Sequence, residues 1–430
     1  SEQYQGKIIM RKEAVIEDAR KAIFCGKNIE NTYPDWNYTG GIIDATSSTL
    51  QNNKFGILIW RYNDQDRDYN CTLSECKFLT TKALKDGLPP RYFLTLIQVK
   101  GVTVEACDFI NSTPENIDYQ DRGTGIFAYD GGFTVTYISS PGQIKRSKFE
   151  KLNYGILALN YEQDQPFDVN NTYFINNLTG VYASGLSGII LYDNDFNVPR
   201  AGYPTNRIFG GVYLNYCTGY TITENHYNGI TPGGETKVGI TVNNSGEDNN
   251  DIYKNYFTNM FISILAQNIN KSKFPLDGLK LRCNEFTTNE YDITVTADPW
   301  CSDLCGIAQY QGTTNVPAGN LFSKTGIHDF SDYNNEKEWI DYYHHAVPLQ
   351  GESPWKPEYY SRQTISLHGT GVTYNEDACP SMSLELEAKN YFVNQYSMMS
   401  NSIDSLEAQI DQLVDGGSTD FGAGQCGLPR

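Results

Sequence analysis

The chain has 430 residues, of which 39% are hydrophobic and 20% charged, so it has enough apolar material for one elongated domain or two to three compact ones. Its formal net charge of −18 disfavours nucleic acid and anionic membrane surfaces as partners, because both require basic patches. No apolar run approaches the ~20 residues that a transmembrane helix needs, and no signal peptide stands at Ser1.

A short pattern recurs along the first 300 residues and is plainest in FINNLTGVYASG, which runs from Phe174 to Gly185. Each repeat has one large apolar residue, and the ten occurrences are Ile16, Leu50, Phe78, Phe109, Phe149, Phe174, Phe196, Tyr227, Phe257 and Phe286. Their spacing varies from 22 residues (Phe174 to Phe196) to 40 residues (Phe109 to Phe149). This uneven spacing, without helix-length apolar periodicity, favours the coils of a parallel β-helix over helical repeats.

Fixed offsets from these residues predict the core and the corners of each coil. Five residues earlier most repeats have an aliphatic residue: Leu73, Val104, Ile144, Val169, Leu191, Ile222, Ile252 and Leu281. Two residues earlier comes a small or amide side chain: Ser48, Cys76, Cys107, Ser147, Thr172, Asn194, Asn225, Asn255 and Asn284. Two residues later Asn or Thr recurs: Asn52, Thr80, Asn111, Asn176, Asn259 and Thr288. Six residues later, or beyond an insertion, comes a glycine: Gly56, Gly125, Gly155, Gly180, Gly211 and Gly239. We expect the apolar residues to stack in the core, the amides to hydrogen-bond along the stack at corners, and the glycines to supply corners with positive φ.

These columns predict an all-β fold, a right-handed parallel β-helix of about ten rungs over residues 1–300, stacked at ~4.8 Å. Pro, Gly and aromatic residues dominate residues 301–379, which we interpret as an irregular C-terminal β cap. A heptad stripe from Phe392 to Leu413 predicts a trailing amphipathic α-helix within 380–417, and we expect residues 418–430 to form a flexible tail. This helix would either pack along the solenoid or bind a partner helix. Because no cap precedes Ile16, we expect the chain to be part of a longer protein.

Four of the ten cysteines suggest two pairings. Cys76 and Cys107 occupy the same column on adjacent rungs, where they would be either buried thiols, which we favour, or a disulfide. Cys301 and Cys305 form a short C-x3-C loop in which a disulfide and free thiols are equally plausible. No second Cys or His pair stands at the spacing of a zinc site.

Three insertions lengthen the step from the apolar residue to the glycine, at residues 110–124, 197–210 and 228–238. All three lie at the same corner, so we expect them to form one ridge. Loops on a rigid solenoid are frequent binding sites, although they are also tolerated as plain surface insertions. The candidate ligand-binding residues of this ridge are Tyr119, Asp121, Arg122, Arg200, Tyr203, Arg207, Glu235 and Lys237.

A catalytic site is not evident in the sequence. Polysaccharide hydrolysis needs a close pair of carboxyl groups, and the chain has no Asp-Asp dipeptide. The one histidine within the rungs, His226, precedes the inward Tyr227 and so should face solvent. For a lyase, which needs a base and a cation, the ridge offers Arg and Lys, but their spacing selects none of them.

Calcium is the one cofactor that the sequence raises as an alternative to none. Asp64, Asp66 and Asp68 precede Glu75 in DQDRDYNCTLSE, which is the acidic spacing of an EF-hand loop. Tyr69, however, stands where that loop requires Gly, so an acidic surface turn is the favoured interpretation. Adjacent His344 and His345 would face opposite sides of a strand and make a poor shared metal site.

Several phrases, among them GVYLNYCTGYTITEN, GITVNNSGEDNNDIYKNYF, YDITVT, PAGNLFS and IDYYHH, resemble a family of large, mostly uncharacterised Bacteroidota proteins with right-handed parallel β-helix repeats. The resemblance covers residues 6–417. It implies an extracellular or cell-surface location, export by the type IX secretion machinery, and a C-terminal sorting domain beyond this chain. Asp404-Ser405-Leu406 resembles the short O-glycosylation motif of that phylum. The family offers no catalytic residues to transfer.

Two functions follow as expectations. The first is a non-catalytic surface module that is structural, adhesive or glycan-binding, with a glycan or a host or cell-surface ligand as partner. The alternative is a carbohydrate-active enzyme, a lyase or glycoside hydrolase, with its site on the insertion ridge.

Overall fold

The computed structural model describes residues 6–26, 40–60, 70–113, 118–199, 209–229, 237–246, 248–273, 277–301, 304–324, 328–333, 339–346 and 353–381. By its contacts the chain divides into a unit Ser1–Pro380 and a unit Ser381–Arg430, and of the second unit only Ser381 is described. The predicted helix at 380–417 and the tail therefore lie outside the described residues, apart from Pro380 and Ser381.

Three long parallel sheets make up this unit, with ten strands in sheet A, ten in sheet B and eleven in sheet C. The chain visits the sheets in the order A, B, C and then begins the next rung. Within each sheet, strands of successive rungs are hydrogen-bonded neighbours. This is the topology of a parallel β-helix, and ten rungs contribute a strand to all three sheets, in agreement with the prediction.

The strands of sheet A, from rung one to rung ten, are Lys7–Met10, Ile42–Thr46, Cys71–Ser74, Val102–Glu105, Phe133–Thr136, Phe167–Asn170, Ile190–Tyr192, Thr221–Thr223, Asn249–Tyr253 and Gly278–Arg282. Those of sheet B are Val15–Glu17, Thr49–Gln51, Lys77–Thr80, Asp108–Asn111, Ser147–Glu150, Thr172–Ile175, Asp195–Val198, His226–Gly229, Tyr256–Thr258 and Glu285–Thr287. Those of sheet C are Lys21–Cys25, Phe55–Trp60, Tyr92–Ile97, Thr124–Tyr129, Tyr154–Leu159, Thr179–Ser184, Phe209–Asn215, Lys237–Asn243, Ile262–Gln267, Tyr291–Thr296 and His328–Asp332.

Smaller elements complete the described residues. Ile138–Ser140 and Gln143–Lys145 form an antiparallel hairpin, and Ile269–Asn270 pairs in parallel with Gly306–Ile307. Tyr310–Gln311, Ile340–His344 and Ile365–Gly369 form a three-stranded parallel sheet. The helices of the described residues are two short 3-10 turns, Tyr119–Arg122 and Glu376–Ala378.

The predicted apolar column forms the core of sheet B. All ten residues are direct register partners of their neighbours on adjacent strands, from Ile16 with Leu50 to Phe257 with Phe286. From Phe78 onward the rings stack with centroids 4.6–5.3 Å apart. Phe322, which the repeat did not reveal, continues the column 6.0 Å from Phe286. Such in-register stacking buries the rings completely, which explains the strict recurrence of this position.

One predicted core residue is wrong. Ile144 was assigned to the aliphatic column of sheet A, but it lies in the antiparallel hairpin and is 59% exposed. The column continues instead through Val135, which pairs with Val104 on one side and with Val169 on the other. The hairpin is an insertion between sheets A and B, so counting backwards from Phe149 reached the insertion rather than the rung.

The glycine column has a different cause from the one predicted. None of its six members has positive φ. Instead, a Cβ on Gly180 would lie 2.5 Å from the carbonyl oxygen of Gly211 and 2.8 Å from Cδ1 of Phe196. Gly125, Gly155, Gly211 and Gly239 face a ring of the core column and the backbone of the next rung in the same way. Glycine is therefore needed because the aromatic stack occupies the space of its side chain.

The corner between sheets A and B holds the predicted amide ladder. Asn194, Asn225, Asn255, Asn284 and the unpredicted Asn320 are fully buried, and each side-chain amide donates to the next side-chain oxygen at 2.9–3.1 Å. Each oxygen also accepts a backbone N–H of the preceding rung, as between Asn194 N and Asn225 Oδ1 at 3.0 Å. The ladder thereby satisfies turn backbone that no strand can reach.

At the corner between sheets B and C two neighbouring positions carry amides. Asn52, Asn176 and Asn259 adopt the left-handed conformation with φ of 53–57°. As predicted, two of them hydrogen-bond across rungs: Asn52 Oδ1 accepts from Thr81 N at 2.9 Å and Asn259 Oδ1 accepts from Thr288 Oγ1 at 2.7 Å. The buried amides that donate across rungs belong to the residues that follow the predicted positions: Asn53, Asn177 and Asn289. Asn suits the first position because it tolerates positive φ, and it suits the second because its amide both donates and accepts.

The cysteines resolve the alternatives that the sequence left open. Cys76 and Cys107 are buried free thiols, and Cys76 N donates to Cys107 Sγ at 3.3 Å. Cys301 and Cys305 are joined in a disulfide. A second disulfide, which the sequence did not predict, joins Cys283 at a corner of rung ten to Cys379, with Cα atoms 5.8 Å apart.

The described residues that follow rung ten pack directly on it. His328–Asp332 adds an eleventh strand to sheet C, while Phe322 and Asn320 continue the aromatic column and the amide ladder. Asp292 replaces the column glycine in rung ten, where desolvation raises the pKa of its buried carboxyl to about 8.

Candidate functional site

The predicted ridge residues fall into two groups. Tyr119, Asp121, Arg122 and Lys237 are described. Arg200, Tyr203, Arg207 and Glu235 lie outside the described residues, as do the calcium candidates Asp64, Asp66 and Asp68, so their roles stay predictions.

In the first insertion, a 3-10 turn positions the predicted residues. The carboxylate of Asp118 caps this turn by accepting from Gln120 N at 3.1 Å. The guanidinium of Arg122 lies over the ring of Tyr119, 4.2 Å from its centroid, and Arg122 is only 5% exposed. Asp121 is exposed. In this arrangement Arg122 stabilises the insertion, while Asp121 is open to solvent and Tyr119 is half-buried.

Lys237 is also buried. It begins a strand of sheet C, is 1% exposed, and its Nζ donates to the carbonyl oxygen of Asn259 at 3.0 Å. A cation in this position stabilises the root of the third insertion and is inaccessible to a bulky ligand.

A fourth insertion, which the sequence analysis missed, spans residues 81–91 in rung three. It ends at Tyr92, the start of a strand of sheet C. Lys82 and Lys85 form ion pairs with Asp18 at 3.3 and 3.1 Å, and Asp86 pairs with Lys54 at 3.2 Å. The insertion went unseen because Phe93 replaces the glycine whose displacement marks the other three. All four insertions therefore precede strands of sheet C and border that sheet.

The outer face of sheet C differs from those of sheets A and B in being aromatic. From rung three to rung seven the partly exposed residues of this face include Tyr92, Phe127, Tyr129, Tyr154, Leu157, Leu159, Tyr182 and Tyr213. The outer positions of sheet B carry mostly charged or polar residues instead, such as Lys77, Asp108, Lys148, Asp195 and His226. Strand alternation places the sheet C rings outside, because the intervening residues, such as Val181 and Ala183, are in the core.

These rings are ordered by contact with one another. Tyr92 stacks on Phe127 with centroids 4.5 Å apart, and Tyr182 stacks on Tyr213 at 5.2 Å. Tyr154 contacts Tyr182 edge to face at 5.9 Å, and Tyr129 stacks on Tyr161 at 5.8 Å. Tyr161 is 73% exposed. Partial burial raises the pKa of the hydroxyls of Tyr182 and Tyr213.

A column of polar side chains runs beside these rings on the same face. Ser184, Asn215, Asn243 and Gln267 are register partners in rungs six to nine. Asn215 Nδ2 donates to Ser184 Oγ at 3.2 Å, and Asn243 Nδ2 donates to Asn215 Oδ1 at 2.8 Å. Asn268, at the adjacent corner, donates to Asn243 Oδ1 at 2.9 Å. The column lies two residues along each strand from Tyr182 and Tyr213, which corresponds to ~7 Å.

A separate cluster of ionisable residues lies where sheet A meets sheet B. Arg146 forms an ion pair with Asp195, lies 3.9 Å from Asp193, and covers the ring of Tyr173 at 4.9 Å. Desolvation and the neighbouring charge of Asp195 raise the pKa of Asp193. His226, the register partner of Asp195, is exposed as predicted and stacks on Tyr256 at 4.6 Å. This cluster is not evident in the sequence because its members come from different rungs.

The described residues give little support for a ligand pocket or a metal site. A recess with a cavity volume of about 10 Å³ is lined by Phe174 and Phe196 at the root of the second insertion, and it is far smaller than the ~300–1,000 Å³ of typical ligand pockets. No group of three or more His, Cys, Asp or Glu side chains within the described part could hold a metal ion. His344 and His345 are both buried, and burial lowers the pKa of both rings.

Within the described residues there is no helix of the length and apolarity that crossing a bilayer requires. The chain matches no model of a known protein family, and no curated protein is detectably similar to it.

Proposed function

We propose that the chain is a non-catalytic module of a secreted or cell-surface bacterial protein that binds glycans on the outer face of sheet C. The carrying observation is the series of partly exposed, mutually stacked rings over rungs three to seven. Aromatic rings offer large, rigid and amphipathic contact surfaces, and the C–H-rich faces of sugar rings pack well against them. A ladder of such rings suits a repetitive ligand.

We further propose three architectural features in addition to the three parallel sheets. The β-helix is right-handed, as connections between parallel strands nearly always are. Residues 301–379 act as a cap that covers the end of rung ten, and a trailing amphipathic α-helix follows at 380–417. The resemblance to Bacteroidota β-helix repeat proteins supports export by the type IX machinery and a place outside the cell.

The insertion ridge supplies the second part of the binding surface. Because all four insertions border sheet C, their exposed residues would flank a glycan lying on the aromatic face. Asp121 is one such residue, and Arg200, Tyr203 and Arg207 are further candidates.

A glycan array containing neutral and acidic polysaccharides tests this function on the purified chain. We expect concentration-dependent binding to at least one glycan, and weakened binding by a Tyr182→Ala/Tyr213→Ala variant. Binding that is lost in Arg200→Ala/Arg207→Ala but unchanged in the tyrosine variant would move the site to the ridge. No binding to any glycan would refute the proposal.

A second candidate, a carbohydrate-active enzyme, is favoured by one observation. Asp193 has a raised pKa, as a general acid requires, and lies beside Asp195 and His226. The ion pair between Arg146 and Asp195 explains the grouping of these residues equally well as a contact that stabilises the fold. Release of reducing ends or of unsaturated products from a polysaccharide, abolished by Asp193→Asn, would establish the enzyme and displace the first proposal.

A further inference from the structure

The side chains of sheet C in rungs six to nine suit a narrower class of glycans than the aromatic face as a whole. Two parallel columns run along it, the rings Tyr182 and Tyr213 and the polar side chains Ser184, Asn215, Asn243 and Gln267. We call the two columns together the aromatic–amide strip. Resting on the proposed function, we infer that this strip binds an uncharged linear polysaccharide lying parallel to the axis of the solenoid, with about one sugar per rung.

The strip carries no accessible charge among the described residues. The strands that form it are Thr179–Ser184, Phe209–Asn215, Lys237–Asn243 and Ile262–Gln267. Lys237 is their sole ionisable side chain apart from the tyrosines, and it is 1% exposed. A polyuronate needs cations to neutralise its carboxylates, whereas a neutral glycan needs none. The net charge of −18 would further repel a polyanion.

The amide column retains hydrogen-bonding capacity for sugar hydroxyls. The hydrogen bond from Asn243 Nδ2 to Asn215 Oδ1 uses one of the two amide hydrogens of Asn243 and one of the two lone pairs of the Asn215 oxygen. Asn243 Oδ1 also accepts a hydrogen bond from the Asn268 amide, and this bond uses one of the two lone pairs of the Asn243 oxygen. Donors remain available along the partly exposed column, and amides that both donate and accept match hydroxyl groups, which do the same.

The geometry sets the orientation of the ligand. Like residues recur at the ~4.8 Å spacing of neighbouring strands, which is close to the length of one hexose along a linear chain. A glycan lying along the axis therefore meets a polar side chain of the strip at every rung, and it meets a ring at rungs six and seven, because Thr241 and Leu265 occupy the ring position in rungs eight and nine. A glycan lying along one strand would instead meet a single pair of side chains ~7 Å apart, one from each column, only once.

The test is a length series of neutral β-linked hexose oligosaccharides, from disaccharide to octasaccharide, with a matched uronic acid series, measured by calorimetry on the full chain. We expect affinity to rise with each added sugar to about four units, the number of rungs in the strip, and then to level off. The uronic acid series should bind at least ten-fold more weakly.

Variants connect the result to the strip. Tyr182→Ala/Tyr213→Ala and Asn243→Ser should each lower the affinity for the tetrasaccharide by about ten-fold, with thermal unfolding near that of the parent. Ser is chosen because Ser184 already occupies this column. Tyr173→Ala is the matched control, since Tyr173 lies in the same rung on sheet B and is 38% exposed.

The outcomes separate the two proposals. If neither series binds and the glycan array is also silent, the proposed function fails and this inference fails with it. If glycans bind but prefer the uronic acids, show no dependence on length, or ignore the strip variants, glycan binding stands and the aromatic–amide strip is refuted as its site.

Discussion

Glycine recurs at the start of the sheet C strands because the ring of the core column lies against it. Phe196 approaches the position of a Cβ on Gly180 as closely as 2.8 Å, and backbone of the next rung approaches it at 2.5 Å. Real Cβ atoms do not tolerate such contacts, so the glycine and the ring form one packing unit. The sequence pattern indicates a turn at this glycine, but the structure shows that packing against the ring requires it.

Gly180→Ala tests this explanation. We expect a loss of about 1–3 kcal/mol in the free energy of unfolding, because the added methyl must displace either the Phe196 ring or the strand of rung seven. Urea unfolding followed by circular dichroism measures the change. Gly371→Ala is the control, since a Cβ there meets nothing within 4 Å and should leave stability unchanged. Equal stability of both variants would contradict the packing explanation.

At the scale of elements, side-chain bonds at the corners join successive rungs in addition to the backbone hydrogen bonds of the strands. The buried asparagines from Asn194 to Asn320 join the corners of five successive rungs or segments through side-chain bonds. The disulfide between Cys283 and Cys379 then fixes the end of the described C-terminal region to the corner of rung ten. Tyr253 adds a hydrogen bond from its hydroxyl to the carbonyl oxygen of Pro380 at 2.8 Å.

Removing this disulfide should destabilise the chain substantially. Cys283 and Cys379 are 96 residues apart, so Cys283→Ser/Cys379→Ser should cost about 4–5 kcal/mol in the loop-closure model. Cys301→Ser/Cys305→Ser opens a loop of only four residues and should cost about 2 kcal/mol. Thermal unfolding of both variants under non-reducing conditions gives the comparison, and a larger effect of the short loop would overturn it.

At the scale of the whole described unit, each rung contacts mainly its two neighbours. Stability in such repeat folds is approximately a sum of rung and neighbour terms, so rungs are exchangeable when register is kept. Thr172 and Asn194 show this equivalence, since they occupy the same corner 22 residues apart and Thr172 N donates to Asn194 Oδ1 at 3.0 Å.

Deletion of one complete rung should therefore be tolerated. Removing residues 172–193 joins Asn171 to Asn194 and places Phe196 on Phe149 in the core column, so we expect a folded chain with near-native circular dichroism and cooperative unfolding. Removing residues 172–182 instead deletes the sheet B strand and most of the sheet C strand of rung six, so the remaining half rung cannot join its neighbours in register. Comparable folding of the two deletions would contradict the independence of the rungs.

The period-two alternation and the recurring ring, amide and glycine were sufficient to predict ten rungs and the stacking partners of the core, because stacked coils impose the same residue at the same height. Ile144 was misassigned since an insertion and a rung look alike when counted by offset. The repeat also did not reveal the donors Asn53, Asn177 and Asn289, because each directly follows a predicted corner residue and the two positions carry residues of similar type.

Sequence by itself determined the repeat, the shared column of Cys76 and Cys107 and the outward position of His226, since each depends on local alternation. Only tertiary structure decided the pairing of Cys283 with Cys379, the burial of Arg122 and Lys237, and the aromatic face of sheet C. Those features depend on which residues of separate rungs become neighbours at ~4.8 Å, and the insertions shift that correspondence by amounts that no local pattern records.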